Sequence, residues 1–375
     1  MKRSLAALDW LRLPLALCVV FIHNYGTRVA DYANLCANPF SAESIYDIVR
    51  IFCSKVFPGF AVPTFFLISG YLFFLTMPRW NWQQYREKLR RRLFTLLIPY
   101  LGWNLFHCLH LSWPTLMQIA NGQAGWSRLM ALWSHLGGWS MFWDGHVGQS
   151  TVNFLGVEMP FTGPVLAPLW FVRDLMVIVL FAPLIYGLLR RCGKWLLPFL
   201  AACFLFNIWM PWHGTSIACT FWFSWGAYLA TEGADLVDTM RKYRVCAYTV
   251  ALLTLPLLLY LRCVIPPPEN VWVQMIGRLY IIASSVSVVS LAGAIDRRGW
   301  LRCPDWLAKS TFFIYCSHIF VRKQVLRPFV PIVRSGSYPQ RLVVYLLVPV
   351  LTVALCVGIF QLWKYICRKW QGVRG

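Results

Sequence analysis

The chain has 375 residues, of which 58% are hydrophobic, 17% aromatic and only 13% charged, a charged fraction about half that of ordinary soluble domains. Its formal charge of +21 would suit a nucleic-acid binder if Lys and Arg clustered on a soluble face, but they fall in short connections between apolar stretches, so no nucleic-acid partner is expected. Water is not the only solvent for such a chain.

Apolar windows of about 20 residues, enough to cross roughly 30 Å of hydrocarbon, recur along the whole sequence. In chain order they predict helices near residues 5–25, 50–76, 93–113, 168–189, 195–212, 216–232, 245–263, 271–295, 308–326 and 341–363. The expected fold class is an all-α polytopic membrane protein of about ten transmembrane helices, forming one integral membrane domain over 1–375. The start, Met1 to Arg3 and then an apolar run, mimics a signal peptide, but no small-residue cleavage site follows His23, so the segment is read as a retained helix.

An excess of Lys and Arg marks the cytoplasmic side of a membrane. With the N-terminus inside, the basic connections Arg79–Arg92, Arg190–Lys194, Arg241–Arg244, Arg297–Lys309 and Lys364–Arg374 all fall in the cytoplasm, and so does the C-terminus. The opposite loops hold only Arg28, Arg128, Arg327 and Arg334. The long outer segment, about 114–168, contains the Trp-rich stretch Trp126–Trp143 and is expected to lie along the membrane surface. Its aromatic rings suit either an interfacial belt or a platform on which sugar faces stack.

Several chemistries are excluded. Most of the 13 Cys, such as Cys18, Cys203, Cys219 and Cys356, lie inside apolar runs, and no CxxC pair offers a zinc site. His107 and His110 share a helix face without a third ligand, so no metal is expected. Neither a phosphate-cradling GxxxxGK[ST] nor a GxGxxG after a strand occurs.

The first predicted helix carries Arg12 and His23. Eleven residues make three helical turns, so both lie on one face roughly 16 Å apart. Ionisable groups inside a membrane are costly and mark pathways or sites, although Arg12 could snorkel and His23 could be an interfacial packing residue. A neutral imidazole is well matched to removing a hydroxyl proton, and a guanidinium keeps its charge when desolvated.

An arginine followed after ten residues by histidine, within Leu8-Asp9-Trp10-Leu11-Arg12, resembles the acyltransferase-3 family of integral membrane O-acyltransferases. Other segments are similar in family order: Ala61-Val62-Pro63-Thr64-Phe65-Phe66-Leu67-Ile68-Ser69-Gly70-Tyr71-Leu72, Arg91 to Tyr100, Leu169-Trp170-Phe171-Val172-Arg173-Asp174-Leu175, and Ser310 to His318. Thr95 stands where some members have a second basic residue three positions beyond Arg92.

The resemblance implies a multi-pass protein of a bacterial inner membrane. It would move an acyl group, usually acetyl, from cytoplasmic acyl-CoA to a hydroxyl of an extracytoplasmic glycan or lipid-linked saccharide, with no bound cofactor. His23 is the candidate base and Arg12 the candidate donor-side cation. Arg91, Arg92, Arg173, Asp174, Asp9, Ser69 and His318 are candidates for lining the substrate or CoA path. Arg173 and Asp174, adjacent on a helix, are expected to point about 100° apart and to find separate partners. Ser69 is read mainly as a small residue beside Gly70 at a helix crossing, because no base lies near it in spacing. The competing function is a transporter or flippase whose Arg12, Arg173 and His23 line a translocation route without bond chemistry.

Overall fold

A computed structural model of the chain describes residues 2–26, 32–145, 150–154, 157–161, 163–209, 214–266, 270–299 and 304–372. Of the residues used above for the charge pattern, Arg28, Arg302 and Arg374 lie outside the described residues, as do parts of the 114–168 segment and the middle of the Ile265–Asn270 connection.

In chain order the helices are α1 (Lys2–Ile22), α2 (Tyr32–Ala37), α3 (Ala42–Ile51), α4 (Ala61–Leu75), α5 (Trp82–Arg92), α6 (Ile98–Ala120), α7 (Trp126–His135) and α8 (Trp170–Leu180). They continue with α9 (Ala182–Phe206), α10 (Ile217–Thr231), α11 (Leu236–Lys242), α12 (Arg244–Val264), α13 (Val271–Arg298), α14 (Asp305–Leu326), α15 (Val330–Ser335) and α16 (Tyr338–Gly372). Each predicted window coincides with one of these helices or with consecutive ones. An all-α chain was expected. The exception is an antiparallel hairpin in the 114–168 segment, β1 (Ser150–Phe154) and β2 (Val157–Phe161), with Ser150 opposite Phe161 and Phe154 opposite Val157. Thr, Val and Phe in β1 are strand formers.

Among the described residues, five stretches are long and apolar enough to cross a membrane: Leu5–Ile22, Ala42–Leu75, Arg244–Val264, Val271–Arg298 and Tyr338–Trp370. The pair Ala167–Leu180 and Ala182–Phe206, bent by 64°, makes a sixth if taken as one span. The remaining predicted windows fall short for identifiable reasons. α10 has 15 residues, about 22 Å of helix. α6 carries Asn104, His107 and His110, and α14 carries Lys309, His318, Arg322 and Lys323. The connection expected at 190–194 is a kink inside α9 at Cys192, whose φ of −138° leaves the helical region. The expected loop start at Pro114 is also continuous helix, since α6 runs on to Ala120.

The chain forms two compact units, Met1–Phe65 with Ala234–Gly375, and Phe66–Gly233. In the first, α12 pairs with α13, α14 pairs with α16, and α1 lies against α13, α14 and α16. Its core includes Ala16, Val20, Ile314, Val321 and Cys356. Asn270 caps α13 by accepting a hydrogen bond from the Val273 N–H, and Gly299 ends that helix in the left-handed conformation (φ 66°) that glycine adopts without steric cost.

In the second unit α10 packs against α8 and α9. The backbones of α4 and α10 meet at two glycines. A Cβ on Gly70 would collide with the Phe223 carbonyl, and one on Gly226 with the Leu67 carbonyl and the Tyr71 N–H. Such close approach is the use of small residues at helix crossings. Part of the 114–168 segment packs here as well. Cys108, Leu136, Met141 and Val165 bury one another, while Trp126, Met130 and Trp139 on the same segment stay exposed.

Candidate active site

His23 follows the last turn of α1, with its backbone N–H donating to the Val19 carbonyl. Its ring lies 5.2 Å, centroid to centroid, from the ring of His318 on α14. His318 is fully buried. Its Nδ1 sits 3.1 Å from the Ile314 carbonyl oxygen and 2.8 Å from that of Tyr315. Carbonyls only accept, so Nδ1 carries the proton and Nε2 presents a lone pair. That Nε2 has no hydrogen-bond partner among the described residues. A neutral imidazole in a fixed tautomer, with a free basic nitrogen beside a second imidazole, can take up a proton from a hydroxyl.

A polar network holds this pair in place. Asn24, next to His23, donates from Nδ2 to the Tyr345 carbonyl (3.0 Å) and accepts at Oδ1 from Arg322 Nη1 (3.4 Å). Arg322 stands one turn beyond His318 on α14. Ser54 hydrogen-bonds the Tyr345 hydroxyl at 2.6 Å and donates to the Phe21 carbonyl. Ser54 and Lys55 belong to a π-helical turn, Phe52–Val56, a wider turn that recurs at functional sites. Arg50 pairs with Asp47 at 2.7 Å, both buried, and donates to the Tyr25 carbonyl. The rings of Tyr25 and Tyr46 lie under the Arg50 guanidinium at 5.1 and 4.8 Å.

Arg12 is three turns from His23 on α1 and does not join the histidine pair. Its partner is Asp9, at 2.9 Å, and both side chains are partly exposed.

The remaining candidates lie in the second unit. Arg92 and Arg173 line one cavity of about 370 Å³ together with Trp143, Leu89, Leu93, Met176 and other apolar residues. Arg91 is exposed, while Arg92 is half-buried over the Phe73 ring at 5.1 Å. Lys88 donates to the Phe73 carbonyl and sits 4.8 Å from the same ring centroid. Partial burial, then the nearby Arg92 and Arg91 charges, push the Lys88 ammonium down to about 8.

Arg173 and Asp174 do pair with each other, against the expectation from their adjacency. Arg173 Nε and Nη2 donate to Asp174 Oδ1 at 3.1 and 3.0 Å, and Nη1 donates to the Trp143 carbonyl at 2.6 Å. The 100° between neighbouring Cβ directions is bridged by the length and fork of the arginine side chain. The pair is fully buried and, through the Trp143 carbonyl, fastens the 114–168 segment to α8. Ser69 is half-buried, and the close helix contact beside it belongs to Gly70. His107 and His110 stack at 6.4 Å, and no group of three or more His, Cys, Asp or Glu suited to a metal occurs among the described residues.

Spacing alone did not reveal Asn24, Asp47, Ser54, Tyr345 or Arg341 as neighbours of the histidines. One signal was available: Arg50, Arg322 and Arg341 sit at the span ends that the charge pattern assigns to the sparsely charged side.

Apolar helices of membrane-spanning length, together with a buried histidine pair held by a charged network, define a multi-pass membrane protein with a built polar site. The acyltransferase-domain family matches residues 5–361, nearly the whole chain, and the chain belongs to this acyltransferase-3 family. It is a membrane acyltransferase. No curated protein and no solved structure matches it.

Proposed function

We propose that the protein is an O-acetyltransferase of a bacterial inner membrane. In this reading it crosses the bilayer about ten times with both termini cytoplasmic, and it moves acetyl from cytoplasmic acetyl-CoA to a hydroxyl of an extracytoplasmic glycan or lipid-linked saccharide. The observation that carries the reading is the ring contact between His23 and His318, in which His318 Nε2 is a base without a partner among the described residues.

The acceptor hydroxyl loses its proton to an imidazole nitrogen of the pair as its oxygen attacks the thioester carbonyl carbon. The tetrahedral adduct then expels the CoA thiolate, which takes that proton, leaving an acetyl ester and free CoA. His23 is nearer the outer end of α1 and is the group that meets the acceptor, with His318 as its proton partner. Arg12, three turns away, meets negative charge on the donor side and would exchange Asp9 for it. Arg91 and Arg92 are suited to CoA phosphates, since guanidinium binds phosphate in a bidentate fork.

The test is transfer of labelled acetyl from acetyl-CoA to membrane glycans in vesicles, read by glycan mass. Removing a positioned general base costs about 10²–10⁴-fold in rate, so His23→Ala is expected to lose transfer while inserting normally. Wild-type turnover in that variant would overturn the role of His23. Label that never leaves CoA for any acceptor would overturn acyl transfer itself.

A further inference from the structure

A cavity of about 350 Å³ is lined by Asn24, the residue after His23, by Arg322, one turn from His318, and by Tyr25, Tyr46, Arg50, Arg341, Tyr345 and several aliphatic side chains, with neither histidine in its wall. Three of its lining residues are arginines, and no Asp or Glu lines it among the described residues. The nearby acids are occupied elsewhere. Asp47 pairs with Arg50 behind the wall, and Glu43 on the same helix hydrogen-bonds Tyr338. Two guanidinium groups therefore face the space without an acid of their own. Arg322 touches only the neutral Asn24 amide oxygen at 3.4 Å, and its buried Nε has no partner among the described residues. Arg341 is held by the backbone carbonyls of Gly336 and Arg334, at 2.9 and 3.0 Å, which leaves its charge unmatched.

Cations enclosed without counter-charge are costly, and a bound anion relieves that cost. The volume lies at the small end of ligand pockets, about 300–1,000 Å³. Tyr25, Tyr46 and Tyr345 with Val333, Val344 and Val348 supply an apolar wall between the charges. Along α14, Arg322 lies one turn from His318, about 5–6 Å, close to the width of a pyranose ring. A sugar whose anionic group binds Arg322 thus spans about the distance to the turn of α14 that carries His318.

We propose that this cavity is the acceptor subsite and that it selects an acidic saccharide, a sugar unit carrying a carboxylate or phosphate. The assignment rests on the acetyltransferase reading above and names its substrate class.

Binding to purified protein in lipid nanodiscs tests it, with four probes: methyl glucuronide, glucose 1-phosphate, the neutral methyl glucoside and inorganic phosphate. Methyl glucuronide or glucose 1-phosphate is expected to bind at least tenfold more tightly than methyl glucoside. Arg322→Gln and Arg341→Gln should erase that preference, and Arg322→Lys should restore part of it, all with unchanged acetyl-CoA affinity as evidence of folding. Equal affinity for the acidic and neutral sugars, a preference unaffected by both Gln variants, or no binding of any probe overturns the proposal. So does inorganic phosphate binding as tightly as the acidic sugars, because the site then reads charge and no sugar. His23→Ala separates the two claims. A retained sugar preference with lost acetyl transfer supports both. A wild-type protein that prefers acidic sugars yet never moves acetyl keeps the pocket and removes the enzyme reading, and one that acetylates without the preference does the reverse.

Discussion

Two arginines, Arg173 in one compact unit and Arg322 in the other, have their charge balanced in different ways. In the second unit, Arg173 pairs with Asp174 and its Nη1 donates to the Trp143 carbonyl, which holds the 114–168 segment to α8. In the first unit, His318 Nε2 and Arg322 Nε have no hydrogen-bond partner among the described residues, and Arg322 lines a cavity with two further arginines. Burial by itself therefore separates nothing. What distinguishes the two arginines is counter-charge: Arg173 has Asp174, whereas the Arg322 hydrogen bond goes to the neutral Asn24 amide.

The comparison can be broken most forcefully on its catalytic side. His318→Gln keeps a polar side chain in the core but loses the basic nitrogen, and it is expected to lower acetyl transfer by about 10²–10³-fold with little change in thermal stability. A variant that instead unfolds and retains turnover per folded molecule would make His318 a fastener like Arg173. On the other side, Arg173→Met leaves Asp174 as an uncompensated buried charge. Breaking such a pair costs about 3–5 kcal/mol, visible as a lowered melting temperature in detergent, and limited proteolysis should cut the 114–168 segment first. Stability at the wild-type level would show that Arg173 is no fastener.

A smaller effect belongs to the crossing of α4 and α10. Gly70→Ala and Gly226→Ala insert a methyl where the other backbone already stands, and overpacking of this kind costs about 1–3 kcal/mol. Either variant melting like wild type would show that the two helices can part.

The smallest effect is electrostatic. Lys88, with its ionisation near 8, is charged below that pH and neutral above it. The Lys88–Arg91–Arg92 cluster therefore loses positive charge as pH rises through 8, and KM for acetyl-CoA should increase by about 2–5-fold between pH 7 and pH 9, as suits one partly exposed charge. Lys88→Gln should flatten that profile. Because burial lowers the folded-state value, the charged form is the strained one, so the strain is fully present below about pH 8 and fades as pH rises from there toward the ordinary lysine value of 10.5.

The order of the helices was legible in the sequence because each apolar window is a local property. Their breaks were less so. The bend of 64° between α8 and α9 and the π-helical turn at Phe52–Val56 depend on what packs against them. Arg12 and His23 were legible as a pair on one helix, yet the partners they choose, Asp9 and His318, could not both be read the same way. Asp9 is one turn away and could be reached by spacing. His318 lies at the far end of the chain, and only folding brings it to His23. The separation expected for Arg173 and Asp174 failed because Cβ directions say little about a side chain as long as arginine.

The double glycine contact has a mechanical consequence. Gly70 rests on the carbonyl of Phe223, and Gly226 rests on the backbone of the turn that contains Gly70. Each helix thus occupies the notch left by the other, and sliding or rotating one past the other would drive main chain into main chain. The two helices behave as a single rigid plank. Any motion within this unit must be borne by other joints, such as the kink at Cys192 or the bend beside Phe181, while this plank stays still.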